Sequence, residues 1–112
     1  MGGKMSREKG KRGEREFASF CKAQGYDARR GQQFNGIDGE DVVGLPGIHV
    51  EVKRTERLNV YEAMEQAWKD SHGKDSIVAH RRNDHRWLVI MDADEWFKLY
   101  REYEASMAMA NK

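Results

Sequence analysis

The clearest pattern in the sequence is a strict alternation of apolar and polar residues from position 48 to position 53. The apolar positions are Ile48, Val50 and Val52, and the polar positions between them are His49, Glu51 and Lys53. A period of two places the two sets on opposite faces of a β-strand. The pattern therefore predicts a strand over 48–54 with its aliphatic residues on one face and the three polar side chains on the other.

The other elements follow from helical spacing of apolar residues and from short apolar runs bounded by turn formers. In chain order, the predicted elements are helix 13–24, strands 26–30, 40–43 and 48–54, helix 59–71, strands 76–80 and 87–91, and a last helix capped by Asp92. The glycine-rich segment 31–39 is predicted to be a loop. The order αβββαββα predicts an α/β fold in which helices flank one mixed sheet.

Length and composition predict one small soluble domain. The chain has 112 residues, of which 38% are hydrophobic and 35% are charged, and its mean hydropathy is -0.94. We expect a single folded domain at 11–104, a mobile basic arm at 1–10 and a frayed tail at 105–112. A domain of this size buries only about two thirds of its unfolded surface, so a second copy could complete its core.

Several protein classes are disfavoured by what the sequence lacks. No run approaches the roughly 18 apolar residues of a membrane span, and residues 1–15 carry charges without an apolar signal segment. The single cysteine, Cys21, cannot form an internal disulfide or supply a multi-cysteine zinc site. We therefore expect an intracellular protein without membrane partners.

Charge is distributed unevenly along the chain. The overall net charge is +1, but segment 4–16 has six basic and three acidic residues, whereas segment 92–104 has two basic and five acidic residues. Further basic clusters lie at 53–57 and 81–86. Such patches suit a polyanion, although a solvated surface is the alternative in a chain with so many charges.

The candidate chemistry is a pair of carboxylates beside a lysine. Glu51 and Lys53 share one face of the predicted strand 48–54, and Asp41 stands on the preceding strand, which a tight turn makes its antiparallel neighbour. Mg²⁺ binds through one or two carboxylates together with water and phosphate, and it can activate a bound water. A nearby lysine can stabilise charge on phosphate oxygens. The alternative is an exposed sheet face with cross-strand ion pairs.

These residues resemble the motif of a known enzyme family. Asp41, followed ten residues later by Glu51-Val52-Lys53 and preceded by a basic helix with the sequence KRGEREF, resembles the PD-(D/E)xK nuclease superfamily. Within it, the chain is most similar to archaeal-type Holliday junction resolvases and their small phage-encoded relatives. The resemblance covers residues 9–91 and implies a restriction-endonuclease-like αβββαβ core, so that 11–104 would be a nuclease domain. It also implies a metal-dependent DNA endonuclease that uses Mg²⁺ or Mn²⁺ and resolves four-way junctions as a homodimer.

The resemblance also implies roles for individual residues. Asp41, Glu51 and a helix-borne Glu14 match the metal ligands, the Val52 carbonyl can complete them, Lys53 matches the catalytic lysine, and Gln66 resembles the glutamine that many members aim at the site. The proline of the motif name is absent. Gln66 could equally be an ordinary surface residue, Glu16 is expected to be solvated, and Asp38 is a second candidate only if the loop pairs differently.

Arginines near the predicted site are candidate phosphate contacts, although some are expected to be merely solvated. They are Arg12, Arg29, Arg30, Arg54, Arg81 and Arg82. His49 shares the face of Glu51 and could contact a substrate, but a lone histidine at the start of a strand is more often structural. Three other functions remain open: a nicking or repair endonuclease without junction specificity, a catalytically silent DNA-binding module, and a small structural protein whose carboxylates form only surface ion pairs.

Overall fold

The computed structural model describes residues 3–31 and 39–111, with side chains from residue 8 onward, and this part of the chain forms three helices and five strands. The elements are α1 (Gly3–Ala23), β1 (Arg29–Arg30), β2 (Val42–Val43), β3 (Ile48–Arg54), α2 (Val60–Asp70), β4 (Asp75–Arg81), β5 (Leu88–Ile90) and α3 (Ala93–Ala110). The predicted order αβββαββα is confirmed. No helix among the described residues is long and apolar enough to cross a membrane.

The central sheet contains three strands in the order β3-β4-β5. Strands β3 and β4 are parallel, with a register that runs from Ile48 opposite Asp75 to Arg54 opposite Arg81, whereas β4 and β5 are antiparallel. Helix α2 makes the crossover that a parallel pair requires. Strands β1 and β2 form a separate antiparallel pair. The predicted α/β fold with a mixed sheet is therefore confirmed.

Two apolar clusters pack on the two faces of the central sheet. The first joins α1 to the sheet and contains Phe17, Ala18, Cys21, Ala28, Val42, Val50, Val52, Ile77 and Ala79. The second joins α2 to the sheet and contains Ala63, Met64, Ala67 and Val78. Because side chains alternate along β3, Val50 and Val52 face α1, while Glu51 and Lys53 face the side of α2.

Both terminal helices are longer than the sequence predicts. Helix α1 begins at Gly3, so most of the predicted basic arm at 1–10 is helical, and α3 continues to Ala110 through most of the predicted frayed tail at 105–112. The two segments are rich in Lys, Arg, Met, Glu and Ala, which favour helix without needing an apolar face. Of the predicted loop at 31–39, residues 32–38 lie outside the part of the chain that the structure describes. The alternative ligand Asp38 is among them.

Gly13 sets how closely α1 approaches β3. A Cβ atom at this position would lie 2.5 Å from Cβ of Arg54 and 3.7 Å from Cγ1 of Val52. Arg54 Cβ is fixed by the strand backbone, so it cannot move aside as the end of a side chain could. The absence of a side chain at Gly13 therefore keeps α1, which carries Glu14, against the strand that carries Glu51.

Replacing Gly13 by alanine is expected to destabilise the protein although alanine favours helix. The clash with Arg54 is expected to cost about 1–3 kcal/mol, which exceeds the helix-propensity gain of up to ~1 kcal/mol. Gly10→Ala is the matched control, because Gly10 lies on the same helix and a Cβ added there would have nothing within 4 Å. Urea unfolding should show a lower midpoint for Gly13→Ala and an unchanged or higher midpoint for Gly10→Ala. An equal increase for both variants would contradict the close packing.

Candidate active site

Asp41 lies at the edge of β3 that does not pair with β4. Its backbone N–H donates to the Val50 carbonyl at 2.8 Å, and its side-chain Oδ2 accepts from the Val52 N–H at 2.7 Å. The Asp41 carboxylate thus accepts the hydrogen bond that a backbone carbonyl of a neighbouring strand would accept from the Val52 N–H. On its other side, the Asp41 carbonyl accepts from the N–H of Gly31, at the end of β1. These three bonds fix Asp41 beside the polar face of β3.

Asp41 and Glu51 form a pair of acids in contact, in which Glu51 is buried and Asp41 is half-buried. Glu51 is only 5% exposed. Burial, followed by the negative charge of Glu51, raises the pKa of Asp41 to about 7, and a hydrogen bond between the two carboxyl groups acts in the same direction. Two carboxylates in contact repel each other unless a proton or a cation lies between them. The pair is therefore suited chemically to share either a proton or a divalent metal ion.

His49 contacts Glu51 on the side away from Lys53. The ring is 1% exposed, and its Nε2 lies 2.7 Å from Oε1 of Glu51, while Nδ1 lies 3.9 Å from Oε1 of Glu40. Burial lowers the pKa of His49, which keeps the imidazole neutral, and its Nε2–H can then donate to the Glu51 carboxylate. Glu40 in turn accepts from Lys74 at 2.6 Å. These contacts place His49 where it can orient the Glu51 carboxylate; the structural role that the sequence favours stays a prediction.

Lys53 and Gln66 contact each other across the site. The Lys53 ammonium donates to Oε1 of Gln66 at 3.0 Å, and its positive charge acts on Asp41 by lowering that group's pKa. Gln66 lies on α2 outside the buried positions Ala63, Met64 and Ala67. The sequence left open whether Gln66 is an ordinary surface residue. The contact places it beside the lysine of the predicted site.

Glu14 approaches the site but is held by an arginine. Its Oε2 lies 2.5 Å from Nε of Arg30. Burial is the main cause of the raised pKa of Glu14, and the charge of Asp41 adds to it, which places Glu14 near the acid pair. Glu14 therefore lies within electrostatic range of Asp41, but it is paired with Arg30 rather than joined to the acid pair.

The predicted metal ligands do not form a closed cage. Within residues 8–31 and 39–111, no group of three or more His, Cys, Asp or Glu side chains lies close enough to hold a metal ion. Asp41 and Glu51 supply two carboxylates, which fits Mg²⁺ because this ion keeps several waters and also takes substrate phosphate oxygens. The observed contact of Val52 is its N–H with Asp41. A role for its carbonyl stays a prediction, as does ligation by Glu14.

A second cluster of charges joins α1 to the ends of β3 and β4. Glu16 accepts from Nε of Arg54 at 3.4 Å and from the Arg81 guanidinium, and Arg54 also donates to Oδ1 of Asn83 at 3.1 Å. The expectation that Glu16 is solvated is therefore wrong. Arg12 and Glu16 are one helical turn apart, so they share a face of α1. This spacing was the sequence signal that Glu16 lies among basic residues.

The predicted DNA-contacting arginines occupy two regions. Arg12, Arg54 and Arg81 surround the Glu16 cluster, and Arg82 follows Arg81 on the exposed turn before β5. Arg29 and Arg30 lie on β1, where Arg30 binds Glu14 and Arg29 is exposed. Through Glu14, Arg30 lies near Asp41 of the acid pair, whereas the Glu16 cluster lies on the α1 side of β3, away from the face that carries Glu51. Contact of these arginines with DNA stays a prediction.

Comparison with known proteins supports the fold. Neither a family model nor a curated protein sequence matches the chain. Among solved structures, the chain is similar to that of Archaeoglobus fulgidus Hjc, a Holliday junction resolvase from an archaeal hyperthermophile. The two share 24% sequence identity with a TM-score of 0.51, and the match covers 74% of this chain and 72% of that one. The chain therefore shares the α/β fold of this protein over most of its length.

Proposed function

We propose that this protein is a metal-dependent DNA endonuclease of the PD-(D/E)xK type that cleaves four-way junctions. The observation that carries the proposal is the contact between the half-buried Asp41 and the buried Glu51, with Lys53 beside it, at an edge strand of a resolvase-like fold. Burying two acids together is costly unless the site has a use for their combined charge. A divalent cation satisfies both carboxylates, and the nearby Lys53 and Arg30 suit a phosphate backbone.

Each residue of the site has a distinct role in this proposal. Asp41 and Glu51 hold the metal ion, and the Val52 N–H and His49 fix the orientation of their carboxylates. Bound Mg²⁺ or Mn²⁺ supplies a Lewis acid that lowers the pKa of water and neutralises phosphate charge. Lys53 orients the attacking water or stabilises charge on the phosphate oxygens, and Gln66 keeps the ammonium in place.

Glu14 adds a third carboxylate when Arg30 is drawn away. Arg30 is a candidate phosphate contact, so an arriving DNA backbone competes with Glu14 for its guanidinium. Release of Glu14 would then free a further acid near Asp41, whose negative charge already raises the pKa of Glu14. Metal binding and DNA binding are expected to reinforce each other for this reason.

The proposal is tested by cleavage of a labelled four-way junction beside a linear duplex of matched sequence, with Mg²⁺ or Mn²⁺ and with EDTA. We expect paired, symmetric cuts in the junction alone and no cuts in EDTA. Cleavage of both substrates would support nuclease activity but reject junction specificity, and the protein would then be a nicking or repair endonuclease. Cleavage that persists in EDTA, or no cleavage with either ion, would contradict the proposed chemistry.

Arg12→Ala is expected to weaken junction binding without changing the chemistry of the bound complex. Arg12 is exposed beside the Glu16 cluster, so it can reach a phosphate, and removing one such contact should lower the salt slope of log K by about 1. Lys22→Ala is the matched control, since Lys22 is exposed on the same helix ten residues away. Fluorescence anisotropy over a salt series measures both slopes. Equal slopes for the two variants would remove Arg12 from the interface.

A further inference from the structure

Helix α3 presents an unusual surface for a protein of this size. It is an 18-residue helix, and none of its residues is buried. Its large apolar side chains are instead exposed, including Trp96 at 48%, Tyr103 at 58% and Met109 at 70%. An isolated helix of this length is only marginally stable in water, and helices gain most of their stability by packing an apolar face. The exposed face of α3 therefore needs a partner.

The exposed residues form a continuous seam along the helix. We define the α3 seam as Ala93, Trp96, Tyr100, Tyr103, Met107 and Ala110. Their spacing alternates between three and four residues, which is the a/d pattern of helices that pack side by side. Trp96 stacks on Tyr100 with ring centroids 5.3 Å apart, and Tyr100 contacts Tyr103 at 6.0 Å. The aromatic part of the seam is thus already ordered along the helix.

The protein's own body does not cover this seam. The hydrogen bonds of α3 with the sheet are polar contacts: Glu95 accepts from the Ser76 N–H at 3.0 Å, and Lys98 donates to Asp75 at 2.8 Å. Between α3 and the sheet lies an apolar groove of about 550 Å³ lined by residues such as Ile77, Val89 and Leu99. A helix that packed fully on its own domain would close such a groove. The seam points to a different partner.

We propose that the α3 seam is the interface of a homodimer in which two α3 helices pack antiparallel about a two-fold axis. The seam is nearly symmetric about its midpoint, so an antiparallel copy pairs like with like in size. Ala93 meets Ala110 at both ends, Trp96 meets the flexible Met107, and Tyr100 meets Tyr103 at the centre. A two-fold interface requires such self-complementarity.

The exposed apolar area approaches what a stable dimer buries. The large apolar side chains on the α3 seam and directly beside it, namely Trp96, Phe97, Leu99, Tyr100, Tyr103 and Met107, together expose roughly 600 Å² per protomer, against about 800 Å² per partner in a standard interface. Monomeric proteins rarely expose a contiguous apolar patch of this size. Tyr and Trp are also the residues that dominate binding energy at interfaces.

This interface deepens the proposed function, because symmetric cuts in a four-way junction require two active sites related by a two-fold axis. The link to symmetric cleavage rests on the proposed function, whereas the dimer interface itself is argued from α3 alone. Oligomeric state can be measured without DNA or metal. A failed dimer test would therefore leave the acid pair intact, and a failed cleavage test would leave the dimer.

Analytical ultracentrifugation of the full chain tests the proposal, with Tyr103→Glu in the seam and Ala105→Glu on the opposite side of the same helix. Wild type and Ala105→Glu should sediment at twice the 13.0 kDa chain mass. Tyr103→Glu should dissociate at least about 100-fold more readily, because a charge would be buried at the interface centre. Circular dichroism checks that it stays folded. A monomeric wild type at about 100 µM, or equal effects of the two variants, would overturn the proposal.

Disulfide cross-linking tests the antiparallel arrangement separately. Ala93→Cys and Ala110→Cys place thiols at opposite ends of the seam, about 26 Å apart along one helix. Mixing the two variants under mild oxidation should give a mixed disulfide dimer, while each variant alone should stay unlinked. Native Cys21 is buried and does not compete. Linkage of Ala93→Cys with itself would instead show parallel helices and overturn the proposed geometry.

Discussion

Lys53→Ala is expected to reduce the rate of junction cleavage by about 100- to 1000-fold while leaving junction binding nearly unchanged. Lys53 has its ammonium fixed by Gln66 beside the acid pair, so its positive charge acts where negative charge develops on the phosphate. Single-turnover cleavage at saturating protein separates this loss from any loss of affinity.

Two further variants distinguish the chemistry of Lys53 from general charge effects. Lys69→Ala removes an exposed lysine from the same helix that carries Gln66, and it should cleave at the wild-type rate. Gln66→Ala keeps the ammonium but removes its acceptor, so a smaller decrease is expected. Cleavage by Lys53→Ala within about twofold of wild type would exclude the lysine from the reaction.

Asp41→Asn is expected to abolish metal-dependent cleavage and, in EDTA at pH 8, to stabilise the fold by about 2 kcal/mol. The asparagine amide can still accept from the Val52 N–H through its oxygen and can donate to Glu51 through its nitrogen. The substitution thus retains the contacts and removes the repulsion. Glu16→Gln is the matched control, because it should destabilise the protein by loosening Arg54 and Arg81.

The pH dependence of this gain has a definite sign. Asp41 has an ordinary pKa of 3.8 that the fold raises to about 7, so the folded protein binds a proton that the unfolded chain releases. Its contribution to stability is therefore present below pH 3.8 and is lost as pH rises towards 7. Urea unfolding in EDTA should show the difference between Asp41→Asn and wild type increasing from pH 4.5 to pH 8. A constant difference would contradict the raised pKa.

The sequence predicted the elements that hold the site because local patterns determine them. Strand β3 has the predicted bounds Ile48–Arg54. Asn59 and Asp92 cap α2 and α3 through side-chain hydrogen bonds. The pairing of Asp41 with β3 is more limited than predicted. One backbone bond and the Asp41 side chain join them, while β2 forms its ladder with β1.

Long-range ion pairs could not be predicted in the same way. Glu14 binds Arg30 and Glu16 binds Arg54 and Arg81, and these partners are 16 to 65 residues apart in the chain. Which of several similar charges meet depends on how α1 lies on the sheet, and the close approach at Gly13 decides that. The length of α3 was missed because after Glu104 the α3 seam continues only through Met107 and Ala110, and so short an apolar pattern did not signal a helix.

The central claim is that Asp41 and Glu51 form a divalent-metal site, and titration of Mn²⁺ into the protein at pH 8 tests it most directly. Calorimetry with wild type, Asp41→Asn and Glu16→Gln compares two acid-to-amide changes, one inside the site and one outside it. The account predicts one Mn²⁺ per chain for wild type and Glu16→Gln, and none for Asp41→Asn. Equal Mn²⁺ binding by wild type and Asp41→Asn, or no binding by wild type, would contradict it.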